Sequence, residues 1–211
     1  MARARGIVFD LDGTLVDSMP DIVGAFRDAY VELGLAPPPA DAVREHVGLP
    51  LEEMYGALAP PERVFELATA YRRVYPRRFT RHTRPFPGVP EALATLRARG
   101  FRLAVATTKR SDMARRLVAA LGMADAFDAV QGTDGFPHKP APDVVFRALA
   151  AVDADGIWMV GDTVHDIEAG RAAGLATYAV TWGTHDEERL RAARPDRLEA
   201  TLDALLEATA G

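Results

Sequence analysis

The sequence predicts an α/β fold, a central parallel sheet with helices on both faces, interrupted after its first strand by an all-helical insert. Three observations predict it. Short apolar runs of strand length recur at "GIVF", "FRLAVAT", "DAVQ", "IWMV" and "ATYAV", and runs of this kind read as buried strands. Helical patterns separate most of them, which calls for crossover connections and a sheet covered on both faces. The third observation is an exception: between Ser18 and Arg84 there is no strand pattern, only helical ones.

Taken in order, the first run ends at Asp10 and leads into "DLDGTLVDS". The insert opens at Ser18-Met19-Pro20-Asp21, which has the form of a capping box. It continues through "DIVGAFRDAYVELG", "PADAVREHVG", "PLEEMYGALA" and "PERVFELATAYRRVYPRRF", with a turn at "APPPA" and a Pro- and Gly-rich exit at "RPFPGVP". The chain therefore divides into a core of residues 1–17 and 85–211 and a helical cap of residues 18–84. An insert at this point hangs over the carboxyl ends of the strands, where open parallel sheets bind ligands, so it is placed to act as a lid. The second run closes on Thr107-Thr108-Lys109, with Ser111 in position to cap the next helix. The fourth, "IWMV", passes into "GDTVHD".

Composition narrows the function. With 30 acidic against 25 basic residues the chain is mildly acidic and has no electrostatic footprint for nucleic acid or a membrane surface. The absence of cysteine excludes disulfides, thiolate metal ligands and a cysteine nucleophile. The first apolar run is broken by Asp10, far short of a signal segment or a membrane span. The expectation is a soluble, cytoplasmic monomer or homodimer that binds a small molecule. Only two of the 25 basic residues are lysines, Lys109 and Lys139, and a compact ammonium differs in its uses from a planar guanidinium.

Asp10 and Asp12 lie two residues apart, which puts both side chains on one side of an extended strand end. Two carboxylates about 4 Å apart repel by roughly 4 kcal/mol at an effective dielectric of 20. A divalent cation offsets this, as does a proton on one of them. Gly13 permits a tight turn, and Thr14 adds a hydroxyl beside backbone N–H groups that can hold an oxyanion. Taken alone, Asp12-Gly13 reads as an ordinary turn after a strand.

The stretch is not alone. "FDLDGTLVDS", "LAVATTK", "FPHKPAPDV" and "IWMVGDTVHDIEAGRAAG" follow one another in this order, and the series resembles the four motifs of the haloacid dehalogenase-like superfamily. The resemblance implies a Rossmann-like three-layer sandwich with a small helical cap, a Mg²⁺ cofactor and an aspartyl-phosphate mechanism. It implies Asp10 as nucleophile, Asp12 as general acid and base, and Thr107 and Lys139, with Gly13 and Thr14, as phosphate-binding groups. Metal ligands would come from the Asp10 carboxylate, the Asp12 carbonyl and Asp162, with Asp166 direct or through water.

Dehalogenases of the superfamily lack the second aspartate, and its phosphonatases use a cap lysine that residues 18–84 do not contain. The wording of the later motifs is most similar to the phosphoglycolate phosphatase group. Inorganic pyrophosphatase and β-phosphoglucomutase-like phosphotransferase remain alternatives, with a silent phosphate-binding module behind them. In the cap, Arg44 and His46 on "REHVGLPLEEM" are candidates to read the substrate's distal group. The cluster Arg72, Arg73, Arg77, Arg78, Arg81 and Arg84 reads as a solvated face or a positive lid. Tyr71, Tyr75 and Phe79 recur every four residues as a buried stripe. Lys109 reads as a loop or surface residue, and Asp17 as a start to the cap. His138 and His165 have no histidine partner at ligand spacing, so they read as supporting or surface residues.

Overall fold

The structure, a computed structural model, describes residues 3–210, so the first two residues of the basic N-terminus lie outside the described residues. Strand β1 (Ala4–Phe9) is followed by a two-residue strand β2 (Val16–Asp17) and helices α1 (Met19–Glu32), α2 (Ala40–Arg44), α3 (Leu51–Leu58) and α4 (Val64–Val74), then by β3 (Arg84–Pro85). The remainder runs α5 (Val89–Ala98), β4 (Arg102–Thr107), α6 (Ser111–Ala120), β5 (Ala129–Gly132), α7 (Asp143–Val152), β6 (Ala154–Gly161), α8 (Val164–Ala172), β7 (Ala176–Val180), α9 (Glu187–Ala192), β8 (Arg197–Glu199) and α10 (Asp203–Ala208).

Six strands form one sheet in the order β5-β4-β1-β6-β7-β8, every pair parallel. Counted along the chain this is the doubly wound order 3-2-1-4-5-6, whose direction reverses between β1 and β6. Alternate residues of the central strands feed opposite layers. Ile7, Phe9, Leu103 and Val105 meet α5 and α6 on one face, while Val8, Ala104, Ala106 and Met159 meet α7 on the other. Burial on both faces is why these strands read as continuous apolar runs.

Helices α1 to α4 enclose a second apolar cluster, joined by Met113 from α6. Its centre is the stacked pair Phe26 and Tyr55, with ring centroids 4.0 Å apart. Pro76 ends α4, and the chain continues as a single 3₁₀ turn at Tyr75–Arg77.

Three local expectations change. Strand β8 was not foreseen, because "RLE" is a short and mostly polar edge segment with no apolar run to mark it. The insert is also fastened at its neck by the antiparallel pairing of β2 with β3, Val16 with Pro85 and Asp17 with Arg84; two residues are too few to carry a period. The expected capping box does not form. Ser18 holds the N-cap position without a side-chain cap, and its hydroxyl donates to Asp12 Oδ1 at 2.6 Å.

Asp21 instead ties the beginning of the insert to its end. Its Oδ2 accepts hydrogen bonds from His82 N (2.8 Å), Thr83 N (3.0 Å) and the Thr83 hydroxyl (2.9 Å), and the side chain is fully buried. Asp21→Ala would leave these donors unpaired in the interior, so it is expected to lower stability by about 2–4 kcal/mol. Urea unfolding followed by circular dichroism measures this; a loss within error of zero would mean that the neck does not depend on Asp21.

Candidate active site

The carboxyl ends of β1, β4 and β6 converge at the point where the sheet order reverses. Asp10 follows β1, and its N–H donates to Val160 O at 2.8 Å, which sets the end of β1 level with the end of β6. Asp162 follows β6, and Asp166 lies in the first turn of α8. All three are buried, with one carboxylate oxygen from each within 4.8 Å of the others. Lys139, from the loop before α7, reaches in beneath them. Its Nζ donates to Asp10 Oδ1 at 2.5 Å, Asp166 Oδ1 at 2.5 Å and Ala106 O at 3.1 Å.

The local chain is shaped for this crowding. Gly13 has φ 91°, and a β-carbon there would overlap the Asp162 carboxylate, so both conformation and space call for glycine. Asp162 Oδ1 accepts from the Thr14 hydroxyl at 2.7 Å, and its Oδ2 accepts from Thr184 N at 2.7 Å. Asp166 forms a capping box with Thr163. Its Oδ2 takes the Thr163 N–H and hydroxyl, while its Oδ1 takes Lys139.

Burial raises Asp10 well above the ordinary carboxylate range; Lys139 opposes this, and the Asp166 and Asp162 carboxylates add to it. Burial, then Asp166, pushes Asp162 up to about 6 against the hydrogen bond from Thr14. For Lys139 burial acts downward, but Asp10 and Asp166 outweigh it and hold the ammonium above its usual range. Three carboxylates against one ammonium leave the buried cluster two positive charges short, a deficit that a divalent cation matches.

The Asp12 side chain points elsewhere. Its Oδ2 pairs with Lys109 Nζ at 3.0 Å, and the same ammonium donates to Tyr75 Oη at 3.0 Å. Lys109 is therefore a largely enclosed residue of the site rather than a surface one; burial lowers it, and Asp12 more than restores it, leaving it raised. Thr107 ends β4, is buried, and its hydroxyl oxygen accepts the Lys109 N–H at 3.2 Å.

Beneath the helical insert these groups open into a cleft of about 910 Å³, lined by Asp10, Asp12, Thr107, Lys109, Lys139 and Asp166 on the sheet side. Residues 47–51, the turn before α3 and its first residue, form the opposite wall, and Gly48 approaches Thr163 of the core. From the adjoining α3, Glu53 Oε1 meets His138 Nε2 at 2.9 Å, while His138 Nδ1 lies 2.7 Å from Lys139 O.

Several expected residues do other work. The Thr14 hydroxyl donates to Asp162 and the Gly13 N–H to Val16 O at 2.9 Å, so both groups help to shape the turn. Arg44 is exposed and pairs with Asp41 at 3.5 Å; His46 Nδ1 lies against Ala42 O at 2.8 Å. Neither lines the cleft, because the turn after α2 presents the residues that follow them. Of the six clustered arginines, Arg72, Arg73 and Arg78 pair with Glu52, Glu32 and Asp28, and Arg84 donates to Thr83 O at 2.7 Å. Arg72 is the member that reaches the cleft wall. Asp17 is exposed in β2. Ser111 is the first residue of α6 rather than its cap, and its hydroxyl accepts from Gly132 N at 2.9 Å.

The loop 181–185 after β7 was missed. Besides Thr184 it supplies Gly183, where a β-carbon would overlap Asp162, Trp182, whose Nε1 donates to Thr14 O at 3.2 Å, and His185, whose Nδ1 accepts from Val164 N at 3.0 Å. His165 packs edge to face with His185, ring centroids 6.0 Å apart.

The family model described as haloacid dehalogenase-like hydrolase matches residues 7–180. The chain is 39% identical over 209 residues to a Dickeya dadantii protein named "Probable phosphatase IndB", covering 95% of this chain and 91% of that one. It is 33% identical over 219 residues to the phosphoglycolate phosphatase of Neisseria gonorrhoeae, covering 97% and 93%. Among solved structures, a haloacid dehalogenase-like family hydrolase from Streptococcus pneumoniae superposes with a TM-score of 0.88 at 29% identity, covering 97% of this chain and 98% of that one.

Burial, helped by Arg189 and His165, pushes His185 down to about 4, which agrees with an Nδ1 that accepts a hydrogen bond. Unfolded histidine titrates near 6.5, so between pH 6.5 and 4 the unfolded chain binds more protons. The contribution of His185 to stability is therefore complete above pH 6.5 and is lost as pH falls to 4. His185→Gln, which keeps an acceptor for Val164 N, is expected to show a flatter decline over that range in denaturant titrations. A ring-proton NMR midpoint for His185 between 6 and 7 would contradict this.

Proposed function

This chain belongs to the haloacid dehalogenase-like hydrolases, and from that premise we propose that it is a Mg²⁺-dependent phosphatase of small organic phosphate monoesters, acting through a phosphoaspartyl intermediate on Asp10. The observation that carries this reading is the charge deficit of the Asp10, Asp162, Asp166 and Lys139 cluster at the floor of an open cleft. An all-oxygen donor set of this kind suits magnesium. The Asp10 and Asp162 carboxylates and the Asp12 carbonyl would hold the ion. Asp166, whose oxygens also accept from Lys139 and Thr163, would support it directly or through water. When bound, the cation supplies neutralisation of the phosphoryl charge.

The chain's own residues carry the steps. The Asp10 oxygen not held by Lys139 attacks phosphorus in line; the new O–P bond forms as the ester P–O bond breaks. Asp12 gives its proton to the departing alkoxide. It then takes a proton from the water that attacks the phosphoaspartate, which releases phosphate and restores Asp10. The Thr107 hydroxyl and the Lys139 ammonium hold the non-bridging oxygens. Residues 18–84 act as the cap that excludes water, over a core of residues 1–17 and 85–211.

Asp10→Asn is expected to cut phosphate release by about 10³-fold or more, the scale on which losing a nucleophile is felt, with the circular dichroism spectrum unchanged. Turnover at a comparable rate by that variant would rule out the covalent route. EDTA is expected to abolish turnover and Mg²⁺ to restore it, measured as inorganic phosphate released; hydrolysis that survives excess chelator would remove the metal from the mechanism. Phosphoglycolate belongs first on the substrate panel because relatives carry that name, followed by pyrophosphate and sugar phosphates.

A further inference from the structure

The cleft is much larger than a phosphoryl group and a two-carbon acid require. Its volume of about 910 Å³ falls at the upper end of the range for sites that enclose drug-sized ligands, roughly 300–1,000 Å³. Its chemistry changes along its depth. The floor holds the charged and hydroxyl groups already described, whereas the wall facing it is apolar, built from Val47, Leu49, Pro50 and Leu51 with Tyr71 and Tyr75 beside them. The two tyrosine rings are stacked, centroids 5.2 Å apart and 12° from parallel. Leu49, Leu51 and Tyr71 are only partly buried, so each keeps apolar surface that an occupant can cover.

Besides Lys139, three of the cations that line the cleft sit in ion pairs, and two more, on its exposed side, contact a carbonyl or a ring. Lys109 is matched by Asp12 at 3.0 Å, Arg72 by Glu52, and Arg110 by Asp112 at 3.1 Å. On the exposed side of α6, Arg115 donates to Val130 O at 3.3 Å, and Arg116 lies over the Phe79 ring, 5.3 Å from its centroid. Along the wall itself, Val47, Leu49, Pro50, Leu51 and Tyr71 include no cation, so a second anion lying there would bury its charge against leucine and tyrosine. An uncharged body would displace only water from apolar surface.

We infer that the substrate is a phosphate monoester of an uncharged, largely apolar alcohol, aliphatic or aromatic, whose body lies along residues 47–51 and the Tyr71 ring. The inference rests on the phosphatase reading and narrows it: the floor selects the phosphoryl group, and the wall selects what it is attached to.

The test compares two series under Mg²⁺, n-alkyl phosphates from ethyl to octyl and the same chains ending in a carboxylate, with phosphoglycolate as the shortest member. The reacting ester bond is the same in both series apart from the shortest acids, so the readout is recognition. For the alkyl series kcat/KM is expected to rise roughly three- to fourfold per buried methylene until the chain outgrows the wall. The carboxylate of equal length is expected to fall at least tenfold below its methyl-ended partner. Leu49→Ala and Leu51→Ala are expected to flatten the chain-length slope. A response independent of chain length, or carboxylates that outrun alkyl phosphates, would overturn the inference while leaving the phosphatase intact. If no compound, including a simple aryl phosphate, releases phosphate in an Asp10-dependent way, the phosphatase reading itself fails.

Discussion

The structure turns on the placement of one ammonium, Lys139 Nζ, between the Asp10 and Asp166 carboxylates. Unpaired buried charge is among the costliest things a fold can hold, and a single lysine cannot neutralise three carboxylates. Much of the neighbouring chain follows from managing that excess. Hydrogen bonds from Thr14, Thr163 and Thr184 quiet individual oxygens. The backbone packs close enough to donate them because Gly13 and Gly183 have no β-carbon to collide with Asp162. The parallel sheet is what makes the concentration possible, since it brings residues more than a hundred positions apart to one edge. The strand order reverses between β1 and β6, the point at which open sheets of this kind form a crevice.

The second lysine extends the same logic to the insert. Lys109 neutralises Asp12 and also binds Tyr75, which belongs to the helical segment. Asp12 accepts the Ser18 hydroxyl at the neck, and His138, next to Lys139, meets Glu53 of α3. Asp12, Lys109 and, one residue removed, Lys139 therefore each have a contact with the segment above the sheet edge. Movement of that segment would change the surroundings of Asp12 first, which is the side chain whose proton the proposed chemistry moves.

What the sequence disclosed has a physical pattern. The five apolar runs were legible because strands buried on both faces need uninterrupted hydrophobic residues, and the insert because helical spacing filled the interval where strands were absent. The carboxylate cluster was legible through the four motifs, which fix residues locally at strand ends. Features decided by contacts distant in sequence were not. The 181–185 loop matters through Asp162 and Val164, and "TWGTH" shows only a glycine after a strand. Arg44 and His46 were natural candidates by chemistry, yet the turn after α2 presents Val47 to Leu51 instead, and direction of that kind is set by packing. The bond from the Thr14 hydroxyl to Asp162, 148 positions away, is likewise set by the fold and not by the local sequence.

The scarcity of lysine gains a reason from the same physics. Both lysines end in enclosed positions, with side chains 10% and 3% exposed for Lys109 and Lys139. Each ammonium must serve several acceptors arranged around a point: two carboxylates and a carbonyl for Lys139, a carboxylate and a phenol for Lys109. A guanidinium carries its donors in a plane on a longer, flatter group. It satisfies paired oxygens side by side but not oxygens that surround a point. The arginines Arg3, Arg63, Arg72, Arg102 and Arg191 instead sit in exposed ion pairs, where shape matters little and each pair contributes about 0–1 kcal/mol. In a chain that otherwise uses arginine, lysine survives where the charge must be small, and both such places lie on the floor of the cleft.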